Sequence, residues 1–266
     1  MSDYICVVQL TDTHQFAKTT DSLLKLNTSK SLDAVLDLMT QITNKNPCNL
    51  IALTGDISQD GSIESYQRIV QHMKAFSSEV AWVPGNHDRH ANMASIFNFS
   101  HVSSKKHFII KNWQIILLDS HVEGKDAGFL DDEQCDFLYT TLSSYPQHAL
   151  VMLHHHVLPV GSSWLDNINV NNSQDFLDII DGFTHVKAVV CGHVHQASLQ
   201  KRKNILFFTS PSACFQFKPH VQNFSLDEEM PGFSLIHLYN DGHVEIEVKR
   251  VPYHSSFLPD LKNAGY

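Results

Sequence analysis

The sequence predicts an α/β fold held in a single domain, residues 1–266, and three observations predict it. Short apolar runs recur along the chain, helix-period stretches separate the early runs, and an alternating hairpin pattern lies near the C-terminus.

The apolar runs are Ile5–Leu10, Leu50–Leu53, Val80–Val83, Phe108–Ile110, Ile115–Leu118, Ala149–Leu153, Ala188–Val190 and Ile205–Phe208. Each is short, rich in β-branched or aliphatic residues, and followed within two residues by Asp, Gly, His, Ser or Asn, as strands bounded by turns are. Between the early runs, Leu32, Val35, Leu36, Met39 and Ile42 repeat at the i, i+3, i+4 spacing of one helical face. A second helix spans about Glu64 to Phe76. A third begins at Asp131, with Gln134 at capping-box distance, and turns Phe137, Leu138 and Leu142 inward. Phe233–Tyr239 and Val244–Val251 flank Asn240-Asp241-Gly242, and Val244, Ile246 and Val248 alternate with Glu245, Glu247 and Lys249. That is a hairpin with one wet face.

Bulk composition narrows the function. Hydrophobic residues at 42% are ample for a packed core, which excludes a disordered chain. A net charge of -9 disfavours a broad basic face for nucleic acid or an anionic membrane. Five scattered cysteines with no C-x-x-C pair read as reduced thiols, and no stretch reads as an export signal or membrane span. A cytoplasmic enzyme is expected.

Eighteen histidines are the unusual number, because several stand directly after apolar runs. Thr11-Asp12-Thr13-His14 follows the first run, and Thr54-Gly55-Asp56 the second. Pro84-Gly85-Asn86-His87-Asp88 follows the third, His154-His155-His156 follows Leu153, and Gly192-His193-Val194-His195 follows Cys191. Ligands of α/β sheets bind outside the carboxyl ends of strands, so five such segments would converge on one place. Glycines 55, 85 and 192 are expected to let the backbone curl there. A lone D-x-H or H-x-H carries little; five in order at strand ends carry the argument. Imidazole, carboxylate and amide donors without thiolate suit iron, manganese or zinc. Two divalent ions against Asp12 and Asp56 leave a charge of about +2, or about +1 with a bound hydroxide, which matches a monoanionic phosphodiester.

At these residues the chain resembles the calcineurin-like metallophosphoesterase superfamily, whose signature is D-x-H, G-D, G-N-H-D/E, a strand-terminal His and G-H-x-H. Thr11–His14, His154–Leu165, Cys191–Gln196 and Gln216–His220 further resemble bacterial class III 3',5'-cyclic-AMP phosphodiesterases. The resemblance implies a four-layer α/β/β/α sandwich of two mixed β-sheets, which strand count alone does not separate from an open three-layer sheet. It also implies two divalent ions per chain, iron or manganese first and zinc also admitted. Asp12, His14 and His195 would bind one metal, Asn86, His154 and His193 the other, and Asp56 both. Three histidines compete for one of those places: His154, first off its strand, is favoured, and His155 comes next. Many relatives carry proline directly after these histidines; here Val157 stands there, with Pro159 two residues on.

The implied reaction is hydrolysis of the 3'-phosphodiester bond of cyclic AMP to 5'-AMP by a hydroxide bridging two metal ions. Asp12, His14, Asp56, Asn86, His87, His154 and His195 would meet the substrate, with His87 as the catalytic proton donor. Asp88 would either orient His87 or cap its loop. Phe215, Phe217, Lys218 and His220 are candidates for base contacts. The alternatives are another phosphodiesterase, a phosphomonoesterase or protein phosphatase on the same metals, and an inert scaffold that keeps the fold. The expected partner is a small cyclic nucleotide, with no membrane and with nucleic acid disfavoured by the net charge; oligomeric state is not fixed by the sequence.

Overall fold

The computed structural model describes residues 4–98, 100–263 and 265. Twelve strands form the two large sheets: β1 (Tyr4–Leu10), β2 (Leu50–Thr54), β3 (Glu79–Val83), β4 (Val102–Ser103), β5 (His107–Ile110), β6 (Trp113–Leu117), β7 (His148–Leu153), β8 (Val186–Cys191), β9 (Ser198–Arg202), β10 (Ile205–Thr209), β11 (Gly232–Tyr239) and β12 (Val244–Arg250). One sheet runs β12-β11-β1-β2-β3-β4 and the other β9-β10-β8-β7-β6-β5. In the first, β1 to β4 are parallel and the β11–β12 hairpin joins antiparallel. In the second, β6, β7, β8 and β10 are parallel, with β5 and β9 as antiparallel edges. Both sheets are mixed.

Period-two alternation decides which residues face which layer. Ile5, Val7, Leu50, Ala52, Ala81 and Val83 pack against Trp113, Ile115, Leu117, Leu150, Met152, Ala188 and Val190 in a core between the sheets. The alternate residues of the first sheet, Cys6, Val8, Ile51, Leu53, Val80 and Trp82, pack under α1 (Thr28–Thr43), α2 (Ile63–Met73) and α3 (His90–Phe97). Those of the second, Ile116, Val151, Val189 and Cys191 among them, pack under α4 (Asp132–Ser144) and α6 (Ser173–Asp181). A short helix α5 (Ser163–Asp166) lies between these two. The result is the four-layer α/β/β/α sandwich. Central strands buried on both faces explain why they read as continuous apolar runs.

The expected helices are present with their caps. Asp131 accepts from Gln134 N at 2.9 Å, and Asn27 starts α1 earlier than its apolar stripe by accepting from Lys30 N at 2.8 Å. Elements also lie outside the sequence reading, among them β4, β9, α3, α5 and α6. Strand β9, SLQKR, is a half-exposed polar edge without an apolar run, and α3 and α6 are short and follow no long stripe. Among the described residues no helix is long and apolar enough to cross a membrane.

The parallel strands β1, β2 and β3 of one sheet and β7 and β8 of the other end at the same edge. There Gly192 N donates to His154 O at 3.0 Å, and the His154 ring reaches across to Thr54 O at 2.8 Å.

Candidate dimetal site

Past the sheet edge the strand-end segments continue side by side. Asp12 N donates to Gly55 O and His14 N to Asp56 O, each at 3.0 Å, so the first two segments leave their strands as one ribbon. His193 N donates to both carboxylate oxygens of Asp12 at 3.1 Å, which ties the second sheet to the first. Asp12, His14, Asp56, His193 and His195 all adopt positive φ, between 46° and 67°. A left-handed residue reverses the local curl, so side chains two apart, which a strand would direct to one face at ~7 Å spacing, close on a single point. Each such non-glycine residue costs about 1–2 kcal/mol. Five together are comparable to the net stability of a typical domain, so the buried strands beneath must offset them.

The glycines act differently from the expectation. Of Gly55, Gly85 and Gly192 only the first has positive φ, at 93°; the curl belongs to the ligand candidates themselves. What glycine provides is close approach. A Cβ on Gly55 would lie 2.4 Å from His154 Nδ1, one on Gly85 2.3 Å from Asp56 Oδ1, and one on Gly192 2.2 Å from Thr11 Oγ1 and 2.7 Å from Asp12 Oδ2. Gly192→Ala should therefore push Asp12 out of place, lowering stability by about 1–3 kcal/mol and weakening metal affinity. Urea denaturation with parallel metal titration checks this, and wild-type values in both would refute it.

The side chains meet in overlapping groups. Asp12, His14 and His195 form one set, Asp12, Asp56 and His154 a second, and His14, Asp56 and His87 a third, with ligand atoms in each set within 4.8 Å of one another. His154, His155 and His193 form a fourth. His154 Nε2 lies 3.1 Å from Asn86 Oδ1 and 3.4 Å from Asp56 Oδ2. His195 Nε2 lies 3.3 Å from Asp12 Oδ1.

Ring partners on the far side fix how these histidines point. Nδ1 of His154 faces Thr54 O at 2.8 Å, that of His195 faces Phe215 O at 2.8 Å, and that of His14 faces Gln59 Oε1 at 2.6 Å. Each acceptor holds the ring proton on Nδ1 and leaves the Nε2 lone pair toward the cluster, the arrangement that metal-ligating histidines adopt. His14 Nε2 and His195 Nε2 then stand 3.1 Å apart, two lone pairs face to face. His154 Nε2 likewise faces the acceptor oxygen of Asn86. Such pairs repel unless a cation or a proton lies between them, so the donor set fits divalent ions.

The electrostatics agree. Burial alone would raise the Asp12 carboxyl, but His195 and then His154 pull it below its ordinary value. Asp56, equally buried, is held well below the usual range chiefly by His154 and His87. His154 rises to about 9 because Asp56 outweighs the burial that opposes its charge. His14 falls to about 3 through burial, with His195 adding to the effect. Burial also lowers His193, helped by neighbouring His155. Both carboxylates are thus ionised and the proton kept among them sits on His154, which a metal binding at that ring would displace.

The metal and proton-donor candidates read from the sequence lie in or beside this cluster. Of the three consecutive histidines, His154 is the one whose Nε2 reaches both Asp56 and Asn86. His155 turns Nδ1 to Ser120 Oγ at 2.8 Å, and His156 lies 3.8 Å from the Asp166 carboxylate. The Asp88 carboxylate accepts from Gly85 N and Ser58 N at 2.9 Å, Tyr66 Oη at 3.1 Å and Ile57 N at 3.2 Å. It fastens the Asp56 loop to the Asn86 loop, the capping role of the two left open. Burial and then Asp56 push its carboxyl up to about 6.

Phe217 lines the cleft in front of His87, whereas Phe215 is fully buried against His14 and His195. Lys218 is exposed, and His220 lines a different cavity beyond Phe217. Sequence reasoning did not find Gln59, Ser120, the carbonyls of Thr54 and Phe215, or the cleft residues Trp164, Phe224 and Asp126. No local pattern marks a backbone carbonyl or a loop amide as a histidine's partner.

The calcineurin-like phosphoesterase family matches residues 6–197 of the chain. The chain is 40% identical over 264 residues to the Haemophilus influenzae protein named 3',5'-cyclic adenosine monophosphate phosphodiesterase CpdA, covering 98% of this chain and 95% of that one. It is 38% identical to the protein of the same name from Escherichia coli K12, with 98% and 94% covered. The crystal structure of a dimetal phosphatase from Danio rerio superposes with a TM-score of 0.66 at 15% identity, covering 93% of this chain and 99% of that one, a likeness of fold. The donor geometry, the fold and the near-complete coverage agree: the chain belongs to the calcineurin-like phosphoesterase family.

Proposed function

We propose that the chain hydrolyses 3',5'-cyclic AMP at the 3'-ester bond, giving 5'-AMP. The observation that carries this reading is full-length likeness to proteins named for that activity, joined to a cleft whose floor is the donor cluster.

Asp12, His14 and His195 would hold one ion, Asn86, His154 and His193 the other, and Asp56 would belong to both. Iron or manganese suits this oxygen-and-imidazole set, and zinc is compatible with it. When bound, the two ions supply Lewis-acid charge and a water acidified toward neutral pH. The protein contributes position and proton control. Thr54, Phe215 and Gln59 hold the ligand rings in one orientation. Asp56 Oδ1 accepts from His87 N at 2.9 Å, which sets the His87 backbone at the cleft wall. The His87 ring stands edge-on to His14 at 5.1 Å and remains half-buried, lining the cleft. That placement suits it to donate a proton to the departing 3'-oxygen.

The test is turnover by chelated protein reloaded separately with Fe(II), Mn(II) and Zn(II), on cyclic AMP, bis(p-nitrophenyl) phosphate and p-nitrophenyl phosphate. The reading requires negligible turnover after chelation and restored hydrolysis of cyclic AMP by at least one metal. Preference for the monoester, or no restoration on any substrate, would sink it.

A further inference from the structure

The donor cluster supplies only part of the cleft lining. The same cavity, of about 310 Å³, is lined by Asp56, Asn86, His87 and His193, and Trp164, Phe217 and Phe224 also line it. This volume is at the lower limit for small-molecule sites. The three aromatic rings touch one another edge to face, Trp164 and Phe217 at 4.8 Å, Trp164 and Phe224 at 5.3 Å, and Phe217 and Phe224 at 5.4 Å. They come from two segments: Trp164 from the short helix after the three histidines, Phe217 and Phe224 from the stretch linking β10 to β11.

Their burial divides them. Phe217 is 2% exposed and stacks on the His195 ring at 4.4 Å and 18°, so it fixes the wall to a ligand histidine. Trp164 and Phe224 are only half-buried, packed from behind by the small apolar cluster of Leu165, Phe215, Phe217 and Leu226. The wall is held in place before any ligand arrives, so little ordering cost falls on binding.

We infer that Trp164 and Phe224 form the base subsite of this cleft, presenting a flat aromatic face to the purine while the phosphate lies beside Asp56 and His87. This inference rests on the cyclic-nucleotide reading above. A molecule that joins an anion to a planar π-system fits a cavity whose lining joins cation-holding donors to a fixed aromatic wall. A phosphopeptide or a simple sugar phosphate offers no such second face. Stacking tolerates any base, so the wall supplies affinity for nucleotides as a class.

The test compares Trp164→Ala and Phe224→Ala with the unaltered enzyme on cyclic AMP and on abasic ribose 3',5'-cyclic phosphate, which keeps the ester and lacks the base. Losing one base–aromatic stack should lower kcat/KM for cyclic AMP by about ten- to a hundredfold, chiefly through KM. That loss should exceed the loss on the abasic ester at least tenfold. Phe224→Leu keeps apolar volume without a flat face and should behave as Phe224→Ala does, while Trp164→Phe should recover most of the affinity. Equal losses on both substrates, or Phe224→Leu matching the unaltered enzyme, would overturn the assignment. If the unaltered protein hydrolyses bis(p-nitrophenyl) phosphate but not cyclic AMP, the reading of its function fails instead, whatever the aromatic variants do.

Discussion

Replacing His87 with alanine should lower turnover of cyclic AMP by about 10²- to 10⁴-fold, the range for losing a positioned proton donor, with two metals still bound. The effect should depend on the leaving group. A departing ribose oxygen is strongly basic and needs a proton, whereas p-nitrophenolate departs without one. Bis(p-nitrophenyl) phosphate should therefore lose far less than cyclic AMP. His87 lies beside the metal candidates and is not assigned to either ion, and its backbone N–H to Asp56 survives the substitution. Steady-state rates on both esters, with metal analysis of the same samples, decide the matter. Equal losses on the two substrates, or loss of a metal, would make His87 a structural residue.

Asp56→Ala should have the larger effect. Its carboxylate lies 3.4 Å from His154 Nε2 and 3.9 Å from His14 Nε2, and it holds His87 N. Removing it takes a negative charge from two of the candidate donor groups and leaves the Asn86–His87 loop without that acceptor. Metal content should fall below one ion per chain. Turnover should fall about a thousandfold or more, since several kcal/mol of charge stabilisation are lost. Circular dichroism should show the sandwich intact, because both sheets are held by large apolar cores to which the carboxylate does not belong. Two ions per chain in this variant would refute the shared role.

The sequence was most legible where burial is symmetrical. Strands β1, β2, β3, β7 and β8 are largely buried on both faces and announce themselves as near-continuous apolar runs, so the donors at their ends could be found by position alone. Sheet pairing was not legible: Ile5 and Val7 face the other sheet while Cys6 and Val8 face helices, yet all four are simply apolar in the chain. The family resemblance, not the periodicity, supplied the second sheet. Ligand backbone conformation was also hidden. Nothing in the letters D-T-H shows φ of 54° at Asp12 and 46° at His14, and the reading gave that work to nearby glycines. Trp164 and Phe224 escaped because a half-exposed aromatic in a loop has no periodic partner to mark its direction.

The donors assigned to each ion come from both sheets. Asp12, His14, Asp56 and Asn86 follow strands of one, and His154, His193 and His195 follow strands of the other. An ion gripped this way is a rivet through the seam between two halves. Its binding energy is folding energy, about 2.7 kcal/mol at a hundredfold excess of free metal over Kd. Scarcity of metal would then shorten the protein's survival against proteases as well as silence it, so metal supply would set both how much of the protein persists and how much of it works.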